Sequence, residues 1–255
     1  MLWVRVTVNL GPVSLPAPSR AGIFFSRSAR GCPKLPELLP TATARATDCS
    51  MAVKLTYFDM PGRAFAVRVC LFAFKGESGW IDDRIASYDA FQAQKAAGAY
   101  PLGSVPVLTV GDKTFVQSEA ITRWAAKGAG LYPADADAAL ECDMVATSFM
   151  EILSKCPQDD EAAVKKKKWE EYAAGWMMNA MTFLEKLYAS TPGAFLSADM
   201  TMADLFLYMV VDMIKAGQFD HVDPSYVEQF PTLCAAFEAV KGHDVVTRYL
   251  ACYPN

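Results

Sequence analysis

Tyr57 closes the alternating run Val53-Lys54-Leu55-Thr56-Tyr57-Phe58, and Arg63 follows it across the breaker Asp59-Met60-Pro61-Gly62. A tyrosine hydroxyl stays protonated at neutral pH, so at the end of a strand it is a hydrogen-bond donor rather than a base. Gln117-Ser118-Glu119 opens a helical pattern, which puts an amide and a hydroxyl where a helix N-terminus favours an anion. By residue type alone, Tyr57 reads as a half-buried strand aromatic, Arg63 as a helix charge and Ser118 as a cap or first-turn residue. Other chemistries lack their parts. Only His221 and His243 are present, too few for a His-based metal centre or a convincing Ser-His-Asp relay. Seven cysteines, at 32, 49, 70, 142, 156, 234 and 252, form no C-x-x-C pair and read as reduced thiols.

The elements that must position these residues are legible in the periodicity. Val53 to Phe58 reads as a strand, Arg63 to Lys75 as a helix, Trp80 to Ile85 as a second strand and Asp89 to Ala97 as a short helix or irregular segment. A strand opened by Pro106, whose peptide bond is a candidate for cis, runs to Val110. Gly111-Asp112 is a hairpin signal, Lys113 to Val116 a strand, and Ser118 to about Lys127 a helix. The order is βαβαββα. No strand signal recurs after it, and 135–155, 160–189, 201–216 and 231–250 read as helices. The chain therefore divides into an α/β domain over 51–128, a linker over 129–134 and an all-helical domain over 135–255.

Residues 1–50 stand apart, with six basic against two acidic residues and a Pro, Ser, Thr and Ala-rich composition. They read as a disordered or transit-like extension, or as sequence ahead of a start at Met51, and contribute nothing expected to the catalytic fold. The whole chain carries a formal charge of −4 and a pI near 5.3, which argues against nucleic-acid or anionic-membrane partners. No apolar run approaches the roughly 18 to 20 residues of a spanning helix. A soluble, cytoplasmic protein is expected, or an organellar one if the extension is a transit peptide. The run Lys165 to Lys168 has acids four residues away at Glu161, Glu170 and Glu171, so it reads as helix pairing on a wet face beside a packing stripe of Trp169, Trp176, Met177 and Met181.

Lys54-Leu55-Thr56-Tyr57-Phe58 with Gly62-Arg63-Ala64 resembles the first strand and helix of sigma-class glutathione transferases, with Phe65 in place of the usual acid. Pro101 to Leu108 is similar to the family's PFGKIPVL stretch and Gln117 to Ile121 to its QSxAI motif. Thr201-Met202-Ala203-Asp204 is similar to its capping box in the second domain. The four occur in family order over about residues 51–255. The resemblance implies a thioredoxin-like N-terminal domain, an all-α C-terminal domain and glutathione as co-substrate, with no metal.

It also implies roles. Tyr57 donates to the thiolate of glutathione and Arg63 supports its ionisation. Val105, before Pro106, pairs its backbone with the central cysteine, and Gln117 and Ser118 hold the γ-glutamyl carboxylate. Phe91, where the family has tryptophan, and Lys95 four residues on contact the glycyl end, with Lys95 equally readable as a surface charge beside a short insertion. Glu151, from the partner subunit of a homodimer, meets the ligand's ammonium. The activity implied is conjugation to small hydrophobic electrophiles held by the helical domain. Isomerisation or peroxide reduction on the same thiolate, as in prostaglandin-synthase-like relatives, and a non-catalytic crystallin-like role stand as alternatives.

Overall fold

Strand β1 (Val53–Phe58) lies inside a four-stranded sheet, which is why its Val53, Leu55 and Tyr57 are all buried. The computed structural model describes residues 52–253, so the reading of the 1–50 extension lies outside the described residues. After β1 a 3-10 turn (Gly62–Ala64) leads into α1 (Phe65–Lys75), followed by β2 (Ile81–Ile85), α2 (Tyr88–Ala96), β3 (Val107–Val110), β4 (Lys113–Val116) and α3 (Ser118–Ala129). The strand order is β2-β1-β3-β4, with β2 parallel to β1 and the β3–β4 hairpin antiparallel. The expected βαβαββα order is what forms. The Val105–Pro106 peptide is cis, and β3 begins one residue beyond it.

Register fixes where the chemistry gathers. Thr56 of β1 pairs with Val107 of β3, Val107 pairs with Val116 of β4, and Phe58 pairs with Ile85 of β2. The exit of β1 toward Tyr57 and Arg63, the entry of β3 after Val105–Pro106, and the exit of β4 into Gln117–Ser118 therefore share one end of the sheet.

The helical part comprises α4 (Ala136–Ser154), α5 (Ala162–Tyr172), a π-turn (Ala173–Met177), α6 (Met178–Ala189), α7 (Met202–Lys215), a 3-10 turn (Pro224–Gln229), α8 (Pro231–Gly242) and α9 (Asp244–Cys252). Every residue from Met202 to Val211 is buried, as expected of a helix that is apolar on all faces but for Asp204 and sits at the centre of a core. Phe65 on α1 stacks on Tyr208 of α7 at 4.8 Å, and Tyr208 stacks on Phe237 of α8 at 4.7 Å. This column explains why a phenylalanine occupies position 65: an acid there would enter a dry aromatic stack, whereas the ring adds roughly 0.5–1.5 kcal/mol beyond its area burial.

Two helical readings change. The span 231–250 is two helices, because the backbone turns extended at His243, whose Nδ1 accepts the Val245 N–H at 3.3 Å and caps α9. The span 160–189 contains the π-turn, whose Ala173 carbonyl accepts the Tyr226 hydroxyl at 2.8 Å. Lys166 and Lys167 pair with Glu170 and Glu171 as expected, while Lys165 reaches Asp220 rather than Glu161, and Lys168 reaches Asp159. Trp169, Met177 and Met181 are buried, consistent with the packing stripe.

Candidate active site

At the exit of β1 the chain turns sharply enough to come back over its own side chain. The Tyr57 hydroxyl oxygen accepts the backbone N–H of Arg63 at 3.1 Å. Gly62, at φ +39°, lies so close that a β-carbon there would stand 2.7 Å from the Tyr57 oxygen. Glycine is required twice over, for the positive φ and for the approach. With its oxygen engaged as an acceptor, the hydroxyl proton is free to point elsewhere. Burial pushes the Tyr57 phenol above its ordinary value, against the pull of the Arg63 N–H and of the Arg63 and Arg68 charges. Tyr57 is therefore a protonated donor across the neutral range.

The Arg63 side chain leaves the sheet and donates from Nη2 to the Ser154 hydroxyl at 3.1 Å, tying the corner to the C-terminal end of α4. Cys156 stands two residues beyond Ser154, half-buried, its thiol pushed up to about 12 by burial despite the opposing Arg63 charge. It is an inert neighbour rather than a nucleophile. Glu151, on the same stretch of α4, is exposed and pairs with Lys155 at 3.3 Å.

Gln117 sits before α3 at φ 75°, a left-handed conformation unusual for a residue with a side chain, and its carbonyl accepts the Ile121 N–H. Its side chain is exposed and makes no capping bond. Ser118 is the first residue of the helix proper rather than its cap, is buried, and donates its hydroxyl to the Glu119 carboxylate at 3.0 Å. The structure thus brings Tyr57 and Arg63 into contact and sets Val105–Pro106 and Gln117–Ser118 at the same end of the sheet. Phe91 is different. Its ring is buried, stacked on Tyr100 at 5.3 Å and packed on Phe58 at 5.2 Å, so it is a core residue of the sheet's second face. Lys95 is exposed, with its ammonium 5.9 Å from the Phe91 ring centre and its chain folded against Gly103.

One residue of this corner escapes a reading of the sequence. Arg68 is 1% exposed and donates to the Phe58 carbonyl at 3.0 Å, the Met60 carbonyl at 2.6 Å and the Asp82 carboxylate at 3.0 Å. Within the apolar run Phe65 to Phe72 it looks like a helix charge, and two of its three partners are backbone. The only sequence signal was a charge on the wrong face of a buried helix.

The glutathione S-transferase C-terminal domain profile matches residues 147–252. Probable glutathione S-transferase 6 of Caenorhabditis elegans is 25% identical over 79% of this chain and 97% of its own length. Glutathione S-transferase P of Bos taurus is 29% identical over 77% of this chain and 90% of its own. The solved structure of prostaglandin synthase D of Nilaparvata lugens superposes with a TM-score of 0.69 at 21% identity, covering 80% of this chain and 99% of that one, and so shares the fold.

Proposed function

We propose that this chain, a glutathione transferase of the glutathione S-transferase family, ionises the thiol of glutathione with Tyr57 and adds the thiolate to small hydrophobic electrophiles. The carrying observation is the Arg63 N–H bound to the Tyr57 oxygen at 3.1 Å, which leaves the hydroxyl proton as the group to aim at sulfur. The thiol proton passes to solvent, the thiolate forms a carbon–sulfur bond, and the electrophile's leaving group departs with the electron pair. A donor held in place stabilises the thiolate without having to reorganise, and the Arg63 charge favours the same anion.

The remaining roles follow the sheet end on which the residues lie. Gln117 and Ser118 take the γ-glutamyl carboxylate at the start of α3, where the helix dipole favours an anion. Val105 offers its backbone to the central cysteine beside Pro106. Lys95 takes the glycyl carboxylate, Phe91 supporting it from behind rather than touching ligand. Glu151 of a second copy meets the ammonium. A homodimer is supported by an apolar groove of about 710 Å³ whose walls include Phe115 and Trp124, together with exposed Leu140 and Met144. The GRA and QSEAI motifs favour the sigma class, with domains over 51–128 and 135–255. The likeness to prostaglandin synthase D favours one second reading, isomerisation of a lipid endoperoxide by the same thiolate.

The test is Tyr57→Phe, followed through the pH profile of kcat/KM with glutathione and an aryl halide. If the hydroxyl lowers the thiol pKa by about two units from about 8.5, the thiolate fraction at pH 7 rises from roughly 3% to roughly 75%, so the variant loses about 25-fold at pH 7. The loss shrinks as pH rises, because free thiol ionises unaided. Superimposable profiles reject the mechanism, and turnover of an endoperoxide without aryl-halide conjugation favours the second reading.

A further inference from the structure

Beyond Phe58, which still pairs with Ile85 of β2, the segment from Asp59 to Gly62 has no ladder to hold it, yet Tyr57 and Arg63 must meet across it. The Arg68 guanidinium donates to the Met60 carbonyl at 2.6 Å and to the Phe58 carbonyl at 3.0 Å, the latter also accepting the Met60 N–H at 2.9 Å. The same guanidinium lies 5.7 Å from the centre of the Tyr57 ring. Asp82 on β2 accepts Arg68 Nε through Oδ1 at 3.0 Å and Arg84 Nε through Oδ2 at 2.9 Å, and Arg84 reaches on to Asp59 at 2.6 Å. The loop is therefore held by its carbonyls from α1 and by its Asp59 side chain from β2. A buried cation is a costly way to fill a helix–sheet interface, and an apolar side chain of similar volume is often as stable or more so. What an apolar side chain could not do is bridge the Phe58 and Met60 carbonyls and so set their relative positions.

We infer that Arg68 is a positioning residue: by fixing the Phe58 and Met60 carbonyls it sets where the Arg63 N–H meets the Tyr57 hydroxyl, and so where the Tyr57 proton points. The inference rests on the reading of Tyr57 as the thiolate donor. Arg68 acts only through Tyr57, so its removal should matter little once the hydroxyl is gone.

The experiment is a double-mutant cycle on the full chain, measuring the pH profile of kcat/KM and the KM for glutathione. Arg68→Lys keeps the charge but replaces a planar fork by a point donor that cannot span three acceptors. In the wild-type background it should lower kcat/KM at pH 7 about tenfold and move the profile to higher pH, with glutathione KM changed by less than about twofold. In the Tyr57→Phe background the same substitution should cost less than about twofold. Equal losses in both backgrounds overturn the inference alone, since a merely structural arginine would act in both. An unmoved Tyr57→Phe profile overturns the Tyr57 reading and this inference with it. Asp82→Asn, which leaves the guanidinium and weakens its anchor, carries the same cycle should Arg68→Lys not fold: a loss of about threefold that vanishes with Tyr57→Phe supports the inference, and one that persists overturns it.

Discussion

Two charges are buried among the described residues, Arg68 and Asp204, and they do different work. In the sheet part, the Arg68 cation collects two backbone carbonyls and one carboxylate around an irregular loop. In the helical part, the Asp204 anion collects four donors: the Tyr188 hydroxyl at 3.0 Å, the Leu196 N–H at 2.9 Å, and the Thr201 N–H and hydroxyl at 2.7 and 3.0 Å. Burial raises the Asp204 carboxyl and those donors pull it back down. Asp204 starts α7, the most enclosed helix, and its partners belong to the packing of that helix. The partners of Arg68 adjoin the groups that meet the substrate in the mechanism proposed. A buried charge serves stability or function according to what its partners are attached to.

The largest expected effect tests the stability side. Asp204→Ala strips a shared acceptor from several buried donors at once, and should destabilise the fold by about 3–5 kcal/mol. Glutathione KM in the fraction that remains folded should stay within about twofold. Denaturant titration beside steady-state kinetics checks both, and a loss under about 1 kcal/mol would mean that the α7 start does not depend on this anion.

The next effect lies on the functional side. Gly62→Ala places a methyl group at 2.7 Å from the Tyr57 oxygen, in a backbone conformation that alanine disfavours. The Tyr57–Arg63 contact must open, and kcat/KM should fall about a hundredfold while the melting temperature moves only a few degrees. If stability collapsed and the residual activity per folded molecule were unchanged, the corner would be structural in the same sense as Asp204.

The comparison also explains what could be read without coordinates. The sheet part was legible because its strands are short alternating or apolar runs set off by Asp-Met-Pro-Gly and Gly-Asp, and because its site residues lie beside those breakers. Asp204 was legible too, since a capping box is a local pattern. Arg68 was not, because its partners are carbonyls whose direction no side chain reports, and because Asp82 lies fourteen residues away in the bond that joins them. The break at His243 is marked only by a lone Gly242 before it and Asp244 after it, a weak signal inside apolar spacing that runs through 231–250, and the capping imidazole looks like any other polar residue. The resemblance assigns Phe91 to the ligand, whereas the aromatic neighbours that enclose it, Tyr100 and Phe58, are set by tertiary packing.

Ser118 gives the smallest effect and the finest test of the comparison, because it is a buried polar group tied to neither charge. Its hydroxyl donates to Glu119 at 3.0 Å, while its backbone carbonyl accepts the Thr122 hydroxyl at 2.7 Å. Only the first of these is lost in Ser118→Ala, and Glu119, half-exposed at the helix start, recovers it from water. Stability should therefore change by less than about 0.5 kcal/mol. When the γ-glutamyl carboxylate arrives, the hydroxyl exchanges one carboxylate partner for another, so the net contribution to binding falls to about 1 kcal/mol rather than the larger value of a new charged hydrogen bond. That corresponds to a roughly fivefold weaker glutathione Kd, with kcat nearly unchanged because the carboxylate is remote from sulfur. Calorimetric titration of glutathione into both proteins, beside their denaturant curves, makes the measurement. A functional polar group is then one whose partner can let go when the ligand comes. An unchanged Kd with a stability loss near 1 kcal/mol would place Ser118 with Asp204 instead, and the carboxylate site would have to rest on Gln117 and the open N–H groups of α3.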